Sequence, residues 1–216
     1  MNFTSEEQQV LNVVTRFERP TPQLIESRVE GGGRIAQRIH SQGHLEFVPL
    51  PEGQFGLTFT PQAIDAFQIA SEFPVCHPKH QARIRYAMAK FCEQKGSRIP
   101  LIPSDFRDKP DLDYPFIDHR SYYQEEDRLG FIVVDCAISE SSGRRFLYRW
   151  MRKAREHLER PGFLALCDSG QFVVTAVTPS RQKADLLRRK DNHDAALRKQ
   201  VRLHVAHLPE LTSFSQ

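Results

Sequence analysis

Arg34, Gln37, Arg38 and Ser41 fall at i, i+3, i+4 and i+7, the spacing that gathers four side chains on one arc of a helix. Arginine and glutamine forks match the hydrogen-bonding edges of guanine and adenine, and all four types also reach phosphate oxygens. A second group is purely cationic. Arg144, Arg145, Arg149, Arg152 and Lys153 surround Tyr148 and Trp150, and Arg188, Arg189 and Lys190 follow further on. Such clusters neutralise phosphates and release counterions; the competing reading is a solvated face, or one paired in cis with the acidic residues of 105–127. A third group is Asp118 and Asp135, two acids expected on adjacent strands ahead of a helix. Cys76, His77, His80 and Cys92 match no strong zinc spacing, so linker and core roles are expected and neither metal nor cofactor is implied.

The elements that must position the first group are short. Thr21-Pro22 reads as a cap with proline at the first helical position, and Leu24, Ile25 and Val29 share one face. Gly31-Gly32-Gly33 is expected to end that helix, with a second starting near Arg34 and burying Ile35, Ala36 and Ile39. Two short helices around a tight glycine turn form a helix-turn-helix pattern. Upstream, Thr4-Ser5-Glu6-Glu7 offers a capping box to a helix burying Val10, Leu11, Val14 and Phe17. Downstream, alternating apolar residues on both sides of Pro51-Glu52-Gly53 predict a hairpin, and Thr60-Pro61 caps a closing helix with Ala63, Ile64 and Phe67. Together, GGGRIAQRIHSQGHLEFVP and GQFGLTFTPQAIDAF resemble the recognition helix, wing and closing helix of the MarR-like winged-helix superfamily. The resemblance covers about a third of the chain; it implies a DNA-reading second helix, in a superfamily that also has protein-binding members.

Residues 1–70 are therefore expected to form a winged-helix domain, 71–79 a proline-bearing linker, and 80–216 a mixed α/β domain, for an α+β class overall. In the last part a helix from Lys79 carries Ile84, Ala87, Met88 and Phe91 at helical period. Arg98 to Pro103 reads as extended and 105–127 as an acidic, solvated loop with a short strand at Pro115 to His119. Leu129 to Ile138 is the clearest strand, apolar on both faces and so central. A basic helix is predicted over Arg144 to Glu159, strands over Phe163 to Cys167 and Phe172 to Val177, a helix capped by Ser180, and an edge strand over Val201 to His207. The tail from Leu208 carries little pattern.

Phosphate loops, GxSxG and HExxH motifs are missing from the sequence. Asp118 and Asp135 on adjacent strands before a helix are similar to the restriction-endonuclease-like nuclease fold. That resemblance implies two acids holding a divalent ion that activates water, with a lysine two residues after the second acid. Here the triplet is Asp135-Cys136-Ala137, so the lysine position is alanine and only His119 or Lys153 could stand in. The domain order, with VVTAVTPSRQKADLLRR, distantly resembles the replication-relaxation family of mobile-element proteins.

Bulk composition narrows the classes further. The 216 residues carry a formal net charge of +3. Residues 1–70 hold five Arg against eight Asp and Glu, and the positive balance lies beyond them. The four scattered cysteines fit reduced thiols, the start shows no secretory pattern, and no apolar run approaches membrane-spanning length, so a cytoplasmic location without a membrane partner is expected. The function expected is a DNA-binding accessory or regulatory protein of a bacterial, plasmid or phage system, with double-stranded DNA as partner and room for a protein partner or homodimer. The alternatives are a metal-dependent nuclease using Asp118 and Asp135, and a protein–protein adaptor whose winged helix binds no DNA.

Overall fold

A computed structural model describes residues 3–50, 53–67, 78–107, 121–135, 152–191 and 201–214, with the side chains of 78–81, 190, 191 and 214 excepted. The chain divides into two compact units, Met1–Val75 and Cys76–Gln216, each with helices and strands, an α+β protein. The boundary falls within the stretch read as a linker.

The first unit opens with α1 (Ser5–Phe17), capped as its sequence predicts: Thr4 Oγ1 accepts from Glu7 N–H, and Glu7 Oε2 accepts from Thr4 N–H at 2.9 Å. Val10, Val13, Val14 and Phe17 face inward; Val13 takes the place expected of Leu11, which is half-buried. Helix α2 (Pro22–Arg28) starts where Thr21 Oγ1 accepts from Leu24 N–H, and α3 (Gly32–Ser41) crosses close to it. The glycine triplet begins α3 rather than ending α2, which stops at Arg28. Gly31 takes the left-handed conformation (φ 67°), and a Cβ on Gly32 would lie 2.9 Å from both Ile25 Cγ2 and Ile25 O. Close helix contact, not termination, is what these glycines permit. Strands β1 (Leu45–Pro49) and β2 (Phe55–Phe59) pair antiparallel with Phe47 opposite Leu57, as the alternation predicts. Helix α4 (Pro61–Ala66) closes the unit, its cap residue Thr60 also donating from Oγ1 to Gly43 O at 2.8 Å. Ala63 is buried, but Ile64, expected inward, is exposed.

The second unit is a five-stranded sheet ordered β3 (Arg98–Pro100), β4 (Tyr122–Glu125), β5 (Arg128–Val134), β6 (Phe172–Thr178), β7 (Arg202–His207). The first three pair antiparallel and the last three parallel, with β5 central as expected and β7 at the edge. Parallel neighbours need crossovers, and this corrects one expectation: Phe163 to Cys167 is helical, part of α7 (Pro161–Asp168). Pro161 sits at its first position, and Phe163 and Cys167 are buried one turn apart with Ala165 between them exposed, where an alternating strand would put all three on one face. Tyr122 to Glu125, read as part of a solvated loop, is a strand with Tyr122 and Tyr123 buried; two aromatic residues outweigh the acidic flanks.

Alternation along the strands divides the core in two. One face carries Tyr122, Phe131, Val133, Phe172 and Val174 against Phe163 of α7 and the buried Ala154, which lies in a helical segment at 152–156. Helix α8 (Arg181–Asp191) covers the same side through Ala184 and Leu187. On the other face α5 (Pro78–Glu93) packs Phe91 edge-on to Tyr123 at 5.0 Å. The tail also contributes: Leu208 and Leu211, on and before the 3-10 turn Pro209–Phe214, are fully buried. A short helix, α6 (Pro103–Arg107), follows β3. The expected strand at Pro115 to His119 and the basic helix up to residue 151 lie outside the described residues.

Candidate nucleic-acid interface

Helix α3 separates its residues as the sequence predicts. Ile35, Ala36 and Ile39 are buried, and Arg34, Gln37, Arg38 and Ser41 are exposed. Three structural details refine this face. Ser41 Oγ donates to Arg38 O at 2.7 Å, so its hydroxyl hydrogen is turned inward to the helix. Glu26, on α2, accepts from the N–H groups of Gly31 and Gly33 at 3.1 and 2.7 Å, which places a carboxylate where the start of α3 would otherwise attract an anion. Arg38 donates from Nε to Glu7 Oε1 at 3.1 Å, with Nη2 at the same distance. The Thr4 N–H bond, aided by the Arg38 charge, holds the Glu7 carboxyl below the usual range despite its burial.

Between α1 and the start of α3 lies an open groove of about 670 Å³, floored by Val29 and Ile35 and walled by Glu6, Glu30, Arg34 and Arg38. The hairpin beside α3 presents Phe47 and Phe55, 45% and 57% exposed, and has no Lys or Arg on either strand. The His40 ring meets Phe47 edge-on at 4.8 Å while its Nδ1 lies 2.7 Å from Leu45 O, tying the hairpin to α3.

The cationic residues of the second unit are used unevenly. Arg152 and Lys153 are exposed, and Arg152 pairs with Glu156 at 3.5 Å, a contact between exposed groups that stabilises little. Arg188 and Arg189 are exposed on α8, but Arg188 is already engaged: Nη1 donates to Asp185 and Nη2 to Val205 O, each at 3.0 Å. Arg144, Arg145 and Arg149 lie outside the described residues, as does the Lys190 side chain.

Asp135 has a different setting from the one its sequence context suggests. It follows the last residue of β5, its N–H donating to Val177 O, and its Oδ2 lies 2.6 Å from Lys183 Nζ. Both side chains are buried. By its charge alone Lys183 would belong to the surface, but Lys183, Ala184 and Leu187 share the inward arc of α8, a spacing visible in the sequence. Asp118, the other acid of the nuclease pattern, lies outside the described residues, so the pair of acids cannot be assembled from them. Cys92 is buried against Met88, and no cluster of three or more potential metal ligands occurs among the described residues. No helix among those residues is long and apolar enough to cross a membrane.

No family model matches the chain, and no curated protein or solved structure matches it either.

Proposed function

We propose that this chain is a DNA-binding accessory or regulatory protein of a bacterial, plasmid or phage system, in which α3 enters the major groove of a duplex. The observation that carries this reading is the exposure of Arg34, Gln37, Arg38 and Ser41 together along one helix whose opposite face is sealed by Ile35, Ala36 and Ile39. Support also comes from the order of the first unit, three helices, a hairpin and a closing helix, which is the order of a winged helix. The second unit supplies phosphate affinity through Arg152, Lys153 and Arg189, consistent with the positive balance of the chain beyond residue 70.

Fluorescence anisotropy against random and selected duplexes across a salt series tests this. Replacing Arg34 and Arg38 together by Ala weakens binding and relaxes sequence preference, since a good bidentate base contact contributes about 1–3 kcal/mol of discrimination. A double variant that binds and discriminates like the parent removes α3 from the role.

A second reading, a protein–protein adaptor, rests on the exposed Phe47 and Phe55 of a hairpin without cations, in an acidic first unit. Duplex affinity that does not change with salt, or no duplex affinity, favours it.

A further inference from the structure

Glu7 stands at the third position of α1 on its buried side, one turn before Val10, where a carboxylate is unusual unless it is partnered. Its two oxygens divide their work. Oε2 accepts from Thr4 N–H at 2.9 Å, which fixes the carboxylate to the start of α1. Oε1 takes Nε and Nη2 of Arg38, both at 3.1 Å. The Glu7 side chain is 9% exposed and the Arg38 side chain 51% exposed, so the anchor is buried and the anchored group reaches solvent.

A guanidinium is a planar fork with five N–H donors in fixed directions. When Glu7 occupies its Nε–Nη2 side, the end-on Nη1–Nη2 edge keeps the geometry needed for two parallel hydrogen bonds to one base. Two consequences follow from elementary chemistry. The long Arg38 side chain has lost much of its rotamer freedom before any duplex arrives, so less is lost on forming a directed contact. The adjacent negative charge also weakens attraction to phosphate, which has no need of a particular edge.

We propose that Glu7 is a positioning residue that sets specificity: by holding Arg38 it directs the end-on guanidinium edge to the O6/N7 edge of guanine while lowering sequence-independent affinity. This inference rests on the reading of α3 as the duplex-reading helix. It separates Glu7 from a structural clamp between α1 and α3, because a clamp would change affinity for every duplex in the same direction.

The experiment uses the full chain and two probes: the duplex retained best from a random pool, and the same duplex with 7-deazaguanine in place of guanine. The parent is expected to prefer guanine by roughly fivefold, the loss of one of two base hydrogen bonds. Glu7→Gln keeps an acceptor for Thr4 N–H, so the helix start is retained, and a thermal melt checks the fold. The variant is expected to bind the deaza duplex more tightly than the parent does, to lose most of the guanine preference, and to steepen the salt slope by about one. In an Arg38→Ala background the preference is already gone and Glu7→Gln changes it no further. A Glu7→Gln variant that discriminates like a discriminating parent, loses affinity for both probes in parallel, or acts equally without Arg38 overturns the inference alone. A parent that binds no duplex overturns the DNA reading, and this inference with it.

Discussion

Lys183 Nζ lies 2.6 Å from Asp135 Oδ2, with the two side chains 2% and 9% exposed, so the first turn of α8 is tied to the end of β5 by a pair of charges removed from water. Such a pair adds little stability relative to two apolar groups that fill the same space, because desolvation offsets the attraction. Removing one partner is different, since the other is then a buried, uncompensated charge. Asp135→Asn or Lys183→Met alone is expected to lower stability by about 3–5 kcal/mol, and Asp135→Leu with Lys183→Met to recover most of that loss. Urea denaturation of the four proteins measures it. Single variants within about 1 kcal/mol of the parent would show that the pair carries no such penalty.

The same pair bears on cleavage. A magnesium ion keeps several waters in near-octahedral geometry, and a buried carboxylate already facing an ammonium group offers neither the room nor the free charge for it. Alanine at position 137 leaves the nuclease pattern without its lysine. Supercoiled plasmid incubated with the protein and magnesium or manganese is expected to stay intact. Nicking by the parent that Asp118→Ala abolishes would promote the metal-dependent nuclease instead.

Gly130 faces Tyr123 across the β4–β5 pair, and the ring lies over it so closely that a Cβ there would be 2.0 Å from Tyr123 Cζ. Gly130→Ala must therefore displace the ring and disturb its edge-on contact with Phe91, an overpacking expected to cost about 1–3 kcal/mol. Because the clash is with the ring itself, Tyr123→Leu in the same chain should relieve part of it. A double-variant cycle by thermal denaturation reads the coupling, and additive losses would refute it.

Elements set by neighbours in sequence were legible before the fold was known. The Thr4 and Thr21 caps, the alternation on either side of Gly53, and the apolar runs of β5 and β6 each fall within a few residues. The polar arc of α3 was legible for the same reason. What was not legible depends on partners elsewhere in the chain. Phe163 to Cys167 has enough apolar residues for a strand, and the helix it forms lies in the crossover that connects two parallel strands. The glycines at 31–33 gave a turn but not which helix they served, because Ile25 decides how close α3 must come. Glu7 looks like a surface charge until Arg38 is placed beside it, and the inward spacing of Lys183 does not name Asp135 as its partner.

Tyr123 gives a stability change with a defined sign in pH. Its hydroxyl lies 2.7 Å from Thr175 Oγ1 in the middle of the sheet, and burial, opposed by that hydrogen bond and the Arg98 charge, pushes its pKa up to about 12. An unfolded tyrosine ionises near 10. Between those values the unfolded chain has released its proton and the folded chain has not, so rising pH favours unfolding. The contribution of Tyr123 is complete below about pH 10 and is lost as pH rises to about 12, on the order of 2 kcal/mol in all. Tyr123→Phe abolishes this slope, while at neutral pH it leaves the buried Thr175 hydroxyl without its partner, at a loss of about 1–3 kcal/mol. Urea denaturation of parent and variant at about pH 8 and about pH 11 compares the two directly. The variant should be the less stable at the lower pH, and the gap should shrink at the higher one. A gap that stays constant would mean that Tyr123 ionises in the folded chain as it does in the unfolded one.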